Sequence, residues 1–183
     1  VYDLFLDLDR DLLPEALALF NQCAAEVCEG QQWDMEFEST SNVTEAQYLK
    51  MTRLKTAVLL GFSLELGALL AKAPEHERIA LREFGTHIGI GFQLKDDLLD
   101  VYADKKKFGK QVGGDIIANK KTYLLIKAKE KARGKDKREL AHWLEANKFN
   151  TQKKVNGVTA IYNRLGIAGL TEKKIAEYFD KGF

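Results

Sequence analysis

GIGFQLKDDLLDVYADKKKFGKQVGGDIIANKK, residues Gly89–Lys121, joins an apolar helical pattern carrying aspartates to a glycine- and lysine-rich loop and then to the next helix. Asp96 and Asp100 are one helical turn apart, so a helix sets them on nearly one line, with Asp97 beside them. The neighbours Phe92, Leu94, Leu98, Leu99 and Val101 are apolar, and like charges crowded into such a segment repel one another. A divalent cation relieves that repulsion. Oxygen donors with no His or Cys beside them suit a hard ion, and an incomplete carboxylate set is the usual protein share of a Mg²⁺ shell that phosphate oxygens complete. The loop brings the opposite charge in Lys105, Lys106, Lys107, Lys110, Lys120 and Lys121, while Gly109, Gly113 and Gly114 let backbone turn closely around an anion. The stretch therefore predicts a metal-bridged diphosphate site.

Outward from these residues the chain reads as helical, with almost no strand-like alternation. Val1–Arg10 has the clustered Leu and Phe of a helix tail, and Pro14 opens a long helix to about Glu38 with Leu17, Phe20, Ala24, Val27 and Gln31 on one stripe. Ser39–Asn42 breaks that pattern, and Thr44 with Gln47 reads as a capping box. One helix is then expected over 48–71, largely core because of Ala57, Val58, Leu59, Leu60, Leu64 and Leu66. Lys55 within it either snorkels from a buried helix or reaches an anion; Gly61 and Gly67 are expected to permit close helix approach. Beyond Pro74 a long helix leads through Ile79, Phe84, Ile88 and Phe92 to the aspartates, and its glycines Gly85, Gly89 and Gly91 predict tight packing or a kink. His87 reads as a satisfied helix histidine, and His76 and His142 carry no signal. Further helices are predicted over 122–132, 135–146, 151–165 and 171–179.

Composition limits the function classes. With 183 residues, 45% of them hydrophobic and 30% charged, the chain suits one soluble domain with its own core. A formal net charge of +1 gives no field for nucleic acid or an anionic membrane, and the basic run at 127–138 lacks interleaved aromatics. No apolar run is long enough to cross a bilayer, and no stable membrane insertion is expected. Cys23 and Cys28 are spaced for neither a redox pair nor zinc, which predicts free thiols in a reducing compartment, the cytoplasm.

The run from Phe92 also resembles the second aspartate-rich region of the trans-isoprenyl diphosphate synthases, in the polyprenyl synthetase family. The resemblance rests on Phe92-Gln93, Asp96-Asp97, Asp100, Gly109-Lys110 and Asn119-Lys120 in register, a compound pattern far more specific than DDxxD alone. It extends to Gly30, Gln31 and Asp34, and to the pair Lys55-Thr56.

That resemblance implies an all-α fold, an isoprenoid-synthase-type helical bundle around a central cavity. Residues 1–183 would be a single helical domain, the carboxy-terminal portion of a polyprenyl synthetase domain with the amino-terminal part absent. It implies a Mg²⁺-dependent prenyltransferase that condenses isopentenyl diphosphate with an allylic diphosphate. Asp96, Asp97 and Asp100 would bind Mg²⁺ directly or through water. Gln31 and Asp34 would contact substrate, and Lys55, Thr56, Gln93, Lys110 and Lys120 would hold the allylic diphosphate. The catalytic part would fall to Lys55, Asp96 and Lys110. A first aspartate cluster and the isopentenyl diphosphate pocket are not among these residues, so the 183-residue chain alone is expected to be inactive. A homodimer through the helix that begins near Pro14 is expected as well. Two alternatives are a Mg²⁺-dependent terpene cyclase, whose second motif usually mixes Asn, Ser or Thr and Glu, and a non-catalytic partner subunit.

Overall fold

The computed structural model describes residues 2–103 and 113–183, and every regular element among them is helical. After a 3₁₀ turn at Tyr2–Phe5 come α1 (Leu13–Ser39), α2 (Glu45–Thr52), a π-helical turn (Arg53–Ala57), α3 (Val58–Leu70) and α4 (Glu75–Tyr102). The short α5 (Gly114–Ile117), then α6 (Tyr123–Lys131), α7 (Gly134–Glu145), α8 (Thr151–Arg164) and α9 (Ile167–Gly182) complete it. Two compact units divide the chain. The first takes the residues up to Glu36, Leu49–Gly91 and Glu177–Phe183; the second takes the described residues of Phe37–Tyr48 and Phe92–Ala176.

In the first unit α1 starts where Pro14 fits a first turn. Its buried line is Ala16, Cys23 and Gly30, one residue off the expected stripe, and Gln31 and Ala24 are exposed. The offset has a physical cause: small residues sit where backbones approach, so the buried line is not the most apolar one. A Cβ at Gly30 would lie 2.7 Å from the carbonyl carbon of Leu54 and from the Cα of Lys55, so α1 touches that backbone directly. The touching segment is the π-turn, in which the Val58 N–H donates to the carbonyl of Arg53, five residues back. The single helix expected over 48–71 is thus interrupted at Lys55-Thr56. Such turns are rare and often mark functional sites.

Glycines bring α3 and α4 together in the same manner. A Cβ at Gly85 would fall 2.9 Å from the Cα of Gly61, and one at Gly89 would fall 2.6 Å from the Cα of Ala57. Gly67 meets nothing within 4 Å, so the close approach expected there is absent among the described residues. Leu59, Leu60 and Leu64 are also exposed, whereas Ala57 and Val58 are buried: α3 is apolar on two sides and covered on one. The amino-terminal segment is a 3₁₀ turn rather than a helix tail, and Phe5 packs with Ala16 and Leu69.

In the second unit the capping box forms as expected: the Gln47 N–H donates to Thr44 Oγ1 at 3.2 Å and the Thr44 N–H to Gln47 Oε1 at 2.9 Å. α6 buries Tyr123, Leu124, Leu125, Ile126 and Ala128 after the Thr122 cap, and α8 buries Val155, Val158, Ile161 and Tyr162 after the Asn150 cap. Helix α9 begins at Ile167, four residues before the expected Thr171, because left-handed Gly166 (φ 67°) turns the chain and fully buried Ile167 anchors the first turn. Gly85→Leu should lower unfolding stability by about 1–3 kcal/mol through overpacking. Gly67→Ala, in open space, should raise it by up to about 1 kcal/mol. Urea midpoints of the two variants decide this, and equal midpoints would contradict the packing described.

Candidate active site

On the last turns of α4, Leu94, Leu98 and Val101 face inward, and Asp97 lies on the same side, only 3% exposed. A buried carboxylate needs partners. Both its oxygens have one: Tyr48 Oη donates to Oδ2 at 2.6 Å and Gln93 Nε2 donates to Oδ1 at 3.0 Å. Burial nevertheless pushes the Asp97 carboxyl up to about 6, against the lowering effect of those two hydrogen bonds and of the Lys120 charge.

Asp100 is half-buried. Its Oδ2 accepts the N–H of Asp115 at 3.0 Å and its carbonyl accepts that of Gly113 at 2.7 Å, which ties α4 to the start of α5. Asp115 is itself half-buried, and burial raises its carboxyl, with the charges of Asp100 and Asp96 acting in the same direction. Lys120 opposes them, its Nζ 3.7 Å from Asp115 Oδ1. Asp96 is exposed. The aspartates thus share one neighbourhood but differ in partners.

Within the first unit, Lys55 Nζ and Asp34 Oδ2 form an ion pair at 2.5 Å, with side-chain exposures of 35% and 23%. Lys55 therefore neither snorkels alone nor stands free, and Asp34 is not a solvated helix acid. Gly30 and Asp34 are one turn apart on α1: the glycine admits the π-turn backbone and the aspartate receives its lysine. Thr56 is half-buried and Gln31 exposed. Lys110, with Lys105, Lys106, Lys107 and Gly109, lies outside the described residues.

A cavity of about 610 Å³ in the first unit is lined by Glu26, Arg53, Glu65, Arg82 and His87, among others, and by none of the candidate site residues. His87 Nδ1 lies 2.8 Å from the Glu83 carbonyl, the satisfied helix histidine expected. Among the described residues no group of three or more His, Cys, Asp or Glu is gathered to hold an ion unaided. Exposed Asp96 and half-buried Asp100 still offer an incomplete, all-oxygen donor set, the kind that fits Mg²⁺ when a ligand completes the shell. Sequence reasoning missed Tyr48 and Asp115. Asp115 had a signal, as an acid after Gly113-Gly114 in the quoted stretch; Tyr48 had none, because a tyrosine in an amphipathic helix reads as core.

The family model for polyprenyl synthetase matches residues 1–162, and the chain belongs to that family. A short chain isoprenyl diphosphate synthase of Methanothermobacter thermautotrophicus is 37% identical over 158 residues, which are 86% of this chain and 48% of that protein. A crystal structure of a geranylgeranyl pyrophosphate synthase superposes with a TM-score of 0.93 at 39% identity, covering 99% of this chain and 56% of that one. The helical isoprenyl synthase fold is thereby established. A polyprenyl synthase from Caulobacter crescentus, complexed with calcium and isoprenyl diphosphate, matches at a TM-score of 0.84 and 25% identity, over 92% of this chain and 51% of its own. The chain spans about half the length of the curated relatives it matches.

The elevated Asp97 carboxyl has a consequence for stability. Between the ordinary aspartate value of 3.8 and about 6, the native state holds a proton that the unfolded chain has released. Its contribution is therefore complete below the lower limit and is lost as pH rises through the upper one. With chelator present, Asp97→Asn should flatten that part of the urea-midpoint profile. Tyr48→Phe, which removes a lowering partner, should move the window's upper limit upward. A profile unchanged by Asp97→Asn would contradict the assignment.

Proposed function

We propose that the complete protein is a Mg²⁺-dependent trans-prenyltransferase that joins isopentenyl diphosphate to an allylic diphosphate in isoprenoid biosynthesis. The observation that carries this reading is the partition of the aspartates beside Lys120 in a chain of the polyprenyl synthetase family. Asp96 and Asp100 would hold the ion. Asp97, whose two oxygens accept from Tyr48 and Gln93, braces the helix that presents them, and of the two modes expected of it, direct or through water, these partners favour the second. The calcium and isoprenyl diphosphate bound by the Caulobacter crescentus relative support a metal–diphosphate pairing.

When bound, Mg²⁺ supplies positive charge to the oxygens of the departing diphosphate. The residues of the chain do the rest. Lys120 adds a point charge at the same leaving group, where charge develops as the allylic C–O bond breaks and its electron pair passes to the diphosphate. The double bond of isopentenyl diphosphate then closes on the allylic carbon and a proton is lost. Lys55 and Thr56 on the first unit, and Lys110, remain candidates for the allylic diphosphate, with Asp34 orienting the Lys55 ammonium. Gln31 stays a candidate substrate contact on the exposed side of α1. Gln93, which donates to Asp97, joins the brace.

A homodimer through α1 and a cytoplasmic setting belong to the same proposal; the free thiols Cys23 and Cys28 support the latter. Among the described residues no helix is long and apolar enough to cross a membrane. The cyclase and partner-subunit alternatives are not favoured, since the relatives are synthases and the three aspartates are present.

The test is incubation of the complete gene product with isopentenyl diphosphate and allylic starters of increasing length, with Mg²⁺ or with chelator. Extension that chelator abolishes is the expected result, with Asp96→Ala reducing turnover by roughly a hundredfold or more. Mg²⁺-dependent release of diphosphate from the starter alone, without extension, would contradict the proposal.

A further inference from the structure

Lys154 on α8 is a lysine with no solvent exposure. Its Nζ donates to Asn119 Oδ1 at 2.7 Å and to the Ile117 carbonyl at 3.3 Å, and it sits 4.2 Å from the centre of the Phe149 ring. Among the described residues no carboxylate pairs with it, and burial alone pushes its ammonium below the ordinary lysine range. An unpaired buried ammonium is costly. A methionine would fill the same volume without that cost, so what the lysine uniquely supplies is its donors.

Those donors act on Ile117 and Asn119, at the end of α5 just before Lys120. Asn119 is left-handed (φ 54°), a conformation that few residues other than glycine tolerate, and its Nδ2 donates to the Leu144 carbonyl at 3.1 Å. Lys154 therefore holds Asn119 by the other end of the same amide. It also occupies the end of α5, where carbonyls lack helical partners and attract a cation. The next residue, Val155, fills the space beside left-handed Gly113, where a Cβ would come within 2.7 Å of Val155 Cγ1. Two consecutive α8 residues thus grip both ends of the segment Gly113–Asn119. That segment carries Asp115, bonded to Asp100, and delivers Lys120, whose N–H donates to the Asp115 carbonyl at 2.9 Å.

We propose that Lys154 is a positioning residue for diphosphate binding, acting through Asn119 to fix the backbone from which Lys120 reaches the anion. This rests on the proposed function in taking Lys120 as a diphosphate ligand. Lys154 itself, wholly buried, does not touch substrate.

The test is a double-mutant cycle on the complete protein, read as the Kd of inorganic diphosphate in the presence of Mg²⁺ by calorimetry, with melting temperatures recorded alongside. Lys120→Ala and Lys154→Met should each weaken binding about tenfold, the scale of one charge-assisted contact, and the double variant should be little weaker than either. That shared loss is a readout that general destabilisation does not produce. An unchanged Kd for Lys154→Met, or losses that multiply, would overturn the positioning role. If Lys154→Met does not fold, Asn119→Gly carries the test, since glycine keeps the left-handed backbone while deleting the side-chain acceptor. It should weaken binding alike, and an unchanged Kd would again overturn the role. If Lys120→Ala alone leaves Kd unchanged, Lys120 is no ligand and this inference falls with it. The binding cycle needs no turnover, so failure of the condensation assay and failure of the cycle are separate results.

Discussion

Four carboxylates, Asp96, Asp97, Asp100 and Asp115, stand at the end of α4 and the start of α5, where burial first and their mutual repulsion second make the ionised forms of Asp97 and Asp115 costly to accommodate. Each is accommodated differently. Asp97 is buried under two side-chain donors, Asp100 accepts a backbone N–H, Asp115 faces Lys120, and Asp96 remains in solvent. Lys120 offsets the charge of Asp115, Tyr48 and Gln93 occupy the oxygens of Asp97, and Asp96 and Asp100 carry no charged partner among the described residues. A metal site that a ligand must complete requires that balance: enough negative charge to attract an ion, too few donors to enclose it.

Support for this arrangement comes from residues that carry no chemistry themselves. Tyr48, in the middle of α2, reaches Asp97, while Lys154 and Val155 on α8 underpin the turn that presents Asp115 and Lys120. In the first unit the corresponding constraint is backbone contact. Gly30 lets α1 meet the π-turn, and that turn carries Lys55 to Asp34. In each unit a lysine proposed to bind the anion pairs with an acid, Lys55 with Asp34 and Lys120 with Asp115.

Much of the fold was legible in local chemistry. Pro14, the Thr44–Gln47 box and the apolar period before the aspartates marked α1, α2 and α4, because caps and helical periodicity act within a few residues. What failed depends on contacts distant in sequence. The π-turn at Arg53–Ala57 packs against Gly30, over twenty residues earlier, and no local pattern announces it. The same contact put the buried line of α1 through Gly30 and left Gln31 exposed. Lys154 was invisible for a related reason, since a lysine in an amphipathic helix reads as solvated until a neighbouring turn is found to cover it. The aspartate cluster could be read as a set; that Asp97 is buried under two donors while Asp96 stays in solvent required Tyr48 to be seen beside Asp97.

The most direct measurement is anomalous diffraction from crystals of the complete protein grown with Mn²⁺ in place of Mg²⁺ and with inorganic diphosphate. The expected result is an ion bonded to carboxylate oxygens of Asp96 or Asp100 and to diphosphate, with Lys120 on the anion and Asp97 still held by Tyr48 and Gln93. An ion on Asp97 after it has released Tyr48, or diphosphate bound away from Lys120 with no ion at Asp96 and Asp100, would contradict it.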